Sequence, residues 1–131
     1  MGIERITVLV VEPGKKPKAK EISGDLKSMQ EIVGGTIQAV YPFDDEVALI
    51  ANDDGWLLGL SANRGLRDDE GNIYDIICGS FLLCGAPTDS DSFTSLTSEQ
   101  IERFRTLFYA PEIFVGMDGR IVCLPMECEA V

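Results

Sequence analysis

The run ITVLVV at residues 6–11 decides the fold class of this chain. Its β-branched, almost entirely apolar side chains favour a strand. Because polar residues do not alternate with apolar ones, the run predicts a strand that is buried on both faces, inside a sheet. Pro13 and Gly14 end it, and the lysine-rich turn that follows leads into AKEIS at residues 19–23. This arrangement predicts a first antiparallel hairpin.

Two segments have the period and the end signals of helices. LKSMQEIV repeats its apolar residues along one helical face, after the N-cap candidate Asp25 and before a glycine pair that stops a helix. In TSEQIERFRTLF, Thr97 and Gln100 have the spacing of a capping box ahead of an apolar stripe. We therefore expect helices over about 25–33 and about 98–109.

The remaining apolar segments indicate strands. TIQAVYPF and EVALIA are short strand candidates, and Asp-Gly pairs predict hairpin turns at residues 54–55 and 118–119. Residues 73–83 suggest one long strand that is interrupted by Gly79. The sequence thus predicts a single α+β domain over residues 1–131, with a mainly antiparallel sheet of about six to eight strands and two helices.

Charge and hydropathy disfavour two kinds of partner. The 131 residues include 22 acidic and 11 basic side chains, so the formal net charge is −11. A negative field opposes contact with phosphate backbones, and we expect no direct nucleic-acid binding. No apolar run approaches the length of about 20 residues that a spanning helix needs, so we expect no membrane association and a cytoplasmic location.

Residue types argue against the commonest catalytic and metal sites. The chain has no histidine, which excludes Ser-His-Asp and Cys-His nucleophile arrangements. The spacing of Cys78, Cys84, Cys123 and Cys128 matches no zinc motif, and their apolar neighbours suggest free thiols. Paired aspartates fall in predicted turns, where their side chains bond nearby backbone. We expect no enzyme activity, no catalytic residue, no metal and no cofactor.

The stretch LSANRGLR contains the strongest binding candidates, Asn63, Arg64 and Arg67, in what the surrounding glycines and acidic residues predict to be a polar loop. The planar guanidinium of arginine matches carboxylate or phosphate oxygens, and an adjacent asparagine can bond a base or a backbone amide. Tyr41 and Trp56 are candidate aromatic contacts for the same ligand. The alternatives are structural: both aromatic rings could pack on the sheet, and both arginines could pair with the acidic residues Asp68, Asp69, Glu70 or Asp75.

Several motifs in order resemble a known family: VLVVEPGKKP, LKSMQEIVGGTIQAVYPF, LLGLSANR, IYDIICGSFLLCG and the terminal IVCLP. Together they are similar to the domain-of-unknown-function family 3846, small proteins of phages and conjugative elements in Gram-positive bacteria. The resemblance covers nearly the whole chain. It implies an accessory protein of a mobile element that acts in the cytoplasm of the host cell.

Two hypotheses for function follow. The first is a non-enzymatic protein that binds and sequesters a small anionic ligand of nucleotide type and so counteracts a host defence process. The second is an acidic interaction protein, or DNA mimic, that engages a basic host protein directly. Exposed strand edges leave a homo-oligomer open.

Overall fold

The structure, a computed structural model, describes residues 5–125 apart from the side chains of Met117, Arg120 and Cys123. Cys128 and both ends of the predicted domain therefore lie outside the described residues. The described strands and helices follow one another as β1 (Arg5–Val11), β2 (Lys18–Ser23), α1 (Leu26–Val33), β3 (Ile37–Val40), β4 (Val47–Asn52), β5 (Ala62–Arg67), β6 (Ile73–Cys78), β7 (Phe81–Gly85), α2 (Ser98–Leu107), β8 (Glu112–Met117) and β9 (Arg120–Pro125).

Five of these strands form one antiparallel sheet in the order β2-β1-β7-β4-β3. The residues of β1 point alternately to the two faces, and both faces are covered. Ile6 and Val8 join one core cluster, whereas Leu9 and Val11 join the other. The prediction that residues 6–11 form a strand buried on both faces is confirmed, and so is the first hairpin, in which Ile6 pairs with Ile22.

Each face of the sheet packs against a different partner. Met29 and Val33 of α1 belong to the cluster on the first face. Phe104 of α2 belongs to the cluster on the second face, together with Leu66 of β5 and Ile77 of β6. The molecule therefore has an α+β architecture in which the large sheet lies between α1 on one side and α2 with the β5–β6 pair on the other.

Both helices begin as the sequence predicts. The side chain of Asp25 accepts a hydrogen bond from the Ser28 amide, and Gly34 ends α1 in the left-handed region. At α2, Thr97 and Gln100 form the complete capping box. The second helix ends at Leu107, two residues before the predicted end.

Four local predictions need correction. The described residues contain nine strands, where six to eight were expected. The polar loop around Arg64 is strand β5, paired with β6. Residues 53–59 form a turn after β4, so the Asp54-Gly55 pair does not start a two-strand hairpin. The expected long strand 73–83 is two strands in different sheets, because Gly79 adopts a positive φ of 86° and turns the chain between them.

The last two strands form a separate hairpin. Strands β8 and β9 pair in register around Asp118-Gly119, as predicted, and both turn residues have positive φ. None of the described helices is long and apolar enough to cross a membrane.

Candidate ligand pocket

Asn63 and Arg64 lie in the interior, within the buried stretch of β5 at residues 63–66. Their exposed fractions are 0% and 1%. The Asn63 side-chain amide donates to the carbonyl oxygens of Val11 and Gly79, at 2.9 Å each. This amide therefore joins the end of β1 to the corner between β6 and β7.

The Arg64 guanidinium binds atoms of two other segments and of its neighbour Asn63 in β5. Its Nε donates to the carbonyl oxygen of Phe108 at 3.1 Å, and its Nη2 donates to that of Lys15 at 2.6 Å. Its Nη1 donates to Oδ1 of Asn63 at 2.8 Å. The side chain thus fastens the end of α2 and the β1–β2 turn to β5, and these bonds compensate for the removal of the charge from water.

Arg67, three residues further along β5, lines a cavity of about 290 Å³ at the surface. This volume is at the lower limit of the range, roughly 300–1,000 Å³, that small-molecule sites occupy. We call this cavity the Arg67 pocket. Its walls come from the β3–β4 connection, β5, β6 and α2, and its lining residues are Pro42, Phe43, Asp44, Gly65, Leu66, Arg67, Asp69, Tyr74, Arg103, Leu107 and Phe108.

The apolar wall of the Arg67 pocket is part of the packed core. The ring of Phe43 lies 4.6 Å from that of Phe104 and 6.3 Å from that of Phe108, measured between centroids. Phe108 in turn meets Phe81 of the central strand edge to face, at 5.3 Å. A wall supported in this way holds its shape in the absence of a ligand.

Two arginines contribute positive charge to the pocket, and each also contacts a carboxylate. Arg67 forms an ion pair with Glu112, the first residue of β8, whose Oε1 also accepts from the Gly65 amide at 2.9 Å. Arg103 pairs with Asp45 and lies 5.2 Å from the centre of the Phe104 ring. An incoming anion would meet arginine forks that are already oriented, in competition with these carboxylates.

The five residues that the sequence nominated do not form one site. Arg67 lines the pocket, whereas Asn63 and Arg64 lie in the interior. Tyr41 is exposed and lines a different cavity of about 570 Å³, whose walls include Asp45, Glu46 and Asp91. Trp56 is exposed on the turn after β4. A role of these residues in ligand binding stays a prediction. Arg67, Tyr41 and Trp56 are exposed to solvent, whereas Asn63 and Arg64 are buried.

Phe43 and Arg103 are pocket residues that the sequence reasoning missed. Arg103 and Leu107 are four residues apart on α2, so they share one side of the helix. This spacing is a signal that could have nominated them. Nothing local links them to Phe43 or Tyr74, which reach the pocket only through tertiary packing.

The acidic turn after β5 satisfies its own backbone. Oδ1 of Asp68 accepts from the amides of Glu70 and Asn72, at 3.0 and 2.9 Å. This is the turn role of aspartate that the sequence indicated. Among the side chains that the structure describes, no group of three potential metal ligands is close enough to hold a metal ion.

Cys78 and Cys84 are buried free thiols. Burial raises the pKa of Cys84 to about 12. It also raises the pKa of Cys78, with a smaller contribution from the negative charge of Asp75. Both thiols therefore stay protonated at neutral pH and act as small apolar side chains.

One family model matches most of the chain. The model of the family described as "Domain of unknown function (DUF3846)" matches residues 6–109, which include every lining residue of the Arg67 pocket. Searches of the curated proteins and of the solved structures found no match. The match extends from β1 through the end of α2. On this evidence, the chain belongs to the domain-of-unknown-function family DUF3846.

Proposed function

We propose that this protein is a non-enzymatic binding protein that holds a small anionic ligand of nucleotide type in the Arg67 pocket. One observation carries the proposal: two arginines and three aromatic side chains, Phe43, Tyr74 and Phe108, line the same cavity. Arginine recognises phosphate or carboxylate oxygens through paired donors, and aromatic faces accept a planar base.

The pocket also contains groups that suit the rest of a nucleotide. Asp44 and Asp69 line it, and carboxylates accept hydrogen bonds from hydroxyl or amino groups. A ligand that had only negative charge would be repelled by these two side chains. A nucleotide combines an anionic part for the arginines with donor groups for the aspartates.

Asn63 and Arg64 act in this proposal as positioning residues. Their buried side-chain hydrogen bonds hold β5 in place. Strand β5 in turn supplies Gly65, Leu66 and Arg67 to the pocket wall. In the setting that the family resemblance implies, sequestration of a nucleotide by an accessory protein of a mobile element would counteract a host defence process.

Ligand binding to the purified full chain tests the proposal. The probes are nucleoside monophosphates and cyclic dinucleotides, with adenosine and inorganic phosphate as the separate halves. We expect at least one nucleotide to raise the melting temperature, because it binds only the folded state, and each half to raise it less. Calorimetry should show about 10- to 100-fold weaker binding in Arg67→Gln and in Arg103→Gln, since each removes a charged hydrogen-bond donor.

Arg5→Gln is the matched control. It removes the same charge from an exposed arginine of β1 that pairs with Glu21, and it should leave the affinity unchanged. Circular dichroism checks that every variant is folded. Failure of all the nucleotides to bind, or equal affinities in the Arg67, Arg103 and Arg5 variants, would contradict the proposal.

A further inference from the structure

The turn after β4 displays three consecutive large apolar side chains to solvent. Trp56, Leu57 and Leu58 are 75%, 83% and 60% exposed. A single exposed leucine is ordinary on a protein surface. A contiguous group that includes a tryptophan is not, and such groups mark sites of interaction.

Backbone contacts fix the shape of this turn. The Leu58 amide donates to the carbonyl of Asp54 at 2.8 Å, and the Leu60 amide donates to that of Gly55 at 3.0 Å. At the base of the turn, Oδ1 of the buried Asn52 accepts from the Asp54 amide at 2.8 Å. The side-chain amide of Asn52 donates in turn to the last carbonyl of α1, that of Val33, at 3.0 Å.

At Gly55, the backbone of the turn packs directly against the end of β6. A Cβ atom at this position would lie 2.6 Å from the carbonyl oxygen of Cys78, so the two backbones are in close contact. The three apolar side chains therefore project from a backbone that is ordered before any partner arrives. Preorganisation of this kind lowers the entropy cost of association.

Charge decides which partner suits this turn. Asp53 and Asp54 immediately precede the apolar group and are exposed, and the whole chain carries a formal charge of −11. Anionic phospholipid surfaces would repel it. A second copy would bring the same aspartates and the same net charge to the contact, which also disfavours self-association.

We propose that residues 53–58 form a docking element that inserts Trp56 and Leu57 into an apolar groove with a basic rim on another protein. Tryptophan is enriched among the residues that dominate binding at protein interfaces, where a polar rim surrounds an apolar centre. The two aspartates face the basic rim and speed the encounter. This proposal is independent of the Arg67 pocket, and it gives the expected interaction with a basic host protein a defined surface.

A photo-crosslinking amino acid at position 57 of the full chain tests the proposal in the cells in which the gene is naturally expressed. The captured protein is then purified, and its affinity for the unmodified chain is measured by calorimetry. We expect a basic partner, and at least ~30-fold weaker binding in Trp56→Ala, as is usual for a dominant interface residue. The doubly substituted Asp53→Asn, Asp54→Asn chain should bind more weakly and with a smaller dependence on salt.

Leu57→Ala and Leu26→Ala form a matched pair, because both remove an exposed leucine. Only the first should weaken the complex. The proposal would be overturned by the absence of any crosslinked partner, by equal affinities in this pair, or by a dimer in sedimentation that Leu57→Ala dissolves. Binding of the free chain to phosphatidylglycerol vesicles, lost in Trp56→Ala, would equally refute it in favour of a membrane contact.

Discussion

Arg64 places a permanent positive charge in the interior. Its contribution to the stability of the fold depends on how many of its N–H donors form hydrogen bonds. It bonds the carbonyls of Phe108 and Lys15 and the side chain of Asn63. These acceptors belong to the end of α2, the β1–β2 turn and β5. A residue that appears in the sequence as a binding candidate thus joins separate parts of the fold.

We predict that Arg64→Met destabilises the protein by about 3 kcal/mol or more, because several buried acceptors lose their donor at ~1–3 kcal/mol each. Urea unfolding followed by circular dichroism measures this free energy. The control Arg5→Gln breaks an exposed ion pair and should cost no more than ~1 kcal/mol. A similar small loss in Arg64→Met would contradict the structural role.

Cys84 gives a prediction about reactivity. Since burial raises its pKa to about 12, the thiolate that reacts with alkylating reagents is almost absent at pH 8. We expect iodoacetamide to leave Cys84 unmodified in the folded protein and to modify it in urea, as measured by site-resolved mass spectrometry. Equal rates in both states would show that the thiol is accessible.

Among the elements, the β8–β9 hairpin is attached to β5 at its first residue, Glu112. Two-stranded hairpins are marginally stable alone, and Ile113, Ile121 and Leu124 are exposed on this one. Glu112 contacts both Arg67 and the Gly65 amide of β5. The same carboxylate thus orients a pocket arginine and attaches the hairpin to β5.

We predict that Glu112→Ala loosens the hairpin while the large sheet stays intact. Amide hydrogen exchange at residues 112–125 should become at least several-fold faster, and exchange in β4 and β7 should stay unchanged. Glu102→Ala, which removes the exposed partner of Arg105, is the control and should alter neither region. Uniformly faster exchange would indicate a global loss of stability in place of local release.

Local signals explain which elements the sequence could predict. Helix caps and tight turns depend on interactions within a few residues, so the sequence predicts them directly. This is the case for the caps at Asp25 and Thr97 and for the turn at Asp118-Gly119. Strand β5 carries no such signal. Its polar ANRGLR sequence is buried because distant carbonyls accept from Asn63 and Arg64, which only the assembled fold reveals.

The same distinction applies to the candidate site. Arg67 could be nominated from the sequence because arginine chemistry is intrinsic to the residue. The aromatic wall could not, because Phe43 reaches the pocket from the β3–β4 connection and Phe108 from the end of α2. The Asp54-Gly55 pair predicts a hairpin turn just before Trp56, whereas residues 53–59 form a wider turn in which Gly55 lies in close contact with Cys78.

At the scale of the whole molecule, one short corner connects two sheets. Strand β6 pairs with β5 below the large sheet, and β7 is the central strand of that sheet. Gly79 lies between them, its amide donates to the Ser61 carbonyl, and its carbonyl accepts from Asn63. The direction in which the backbone turns at Gly79 therefore determines the position of the Arg67 pocket relative to the core.

We predict that Gly79→Ala destabilises the whole molecule by about 2 kcal/mol, because a side chain at positive φ alone costs roughly 1–2 kcal/mol. The added Cβ would also lie 2.7 Å from Cδ1 of Leu60, which must move. Gly116→Ala is the control, since no described atom beyond its two chain neighbours lies within 4 Å of its Cβ position and its φ is not positive. Urea unfolding should show a lower midpoint for Gly79→Ala alone, and an unchanged midpoint would mean that the corner tolerates another geometry.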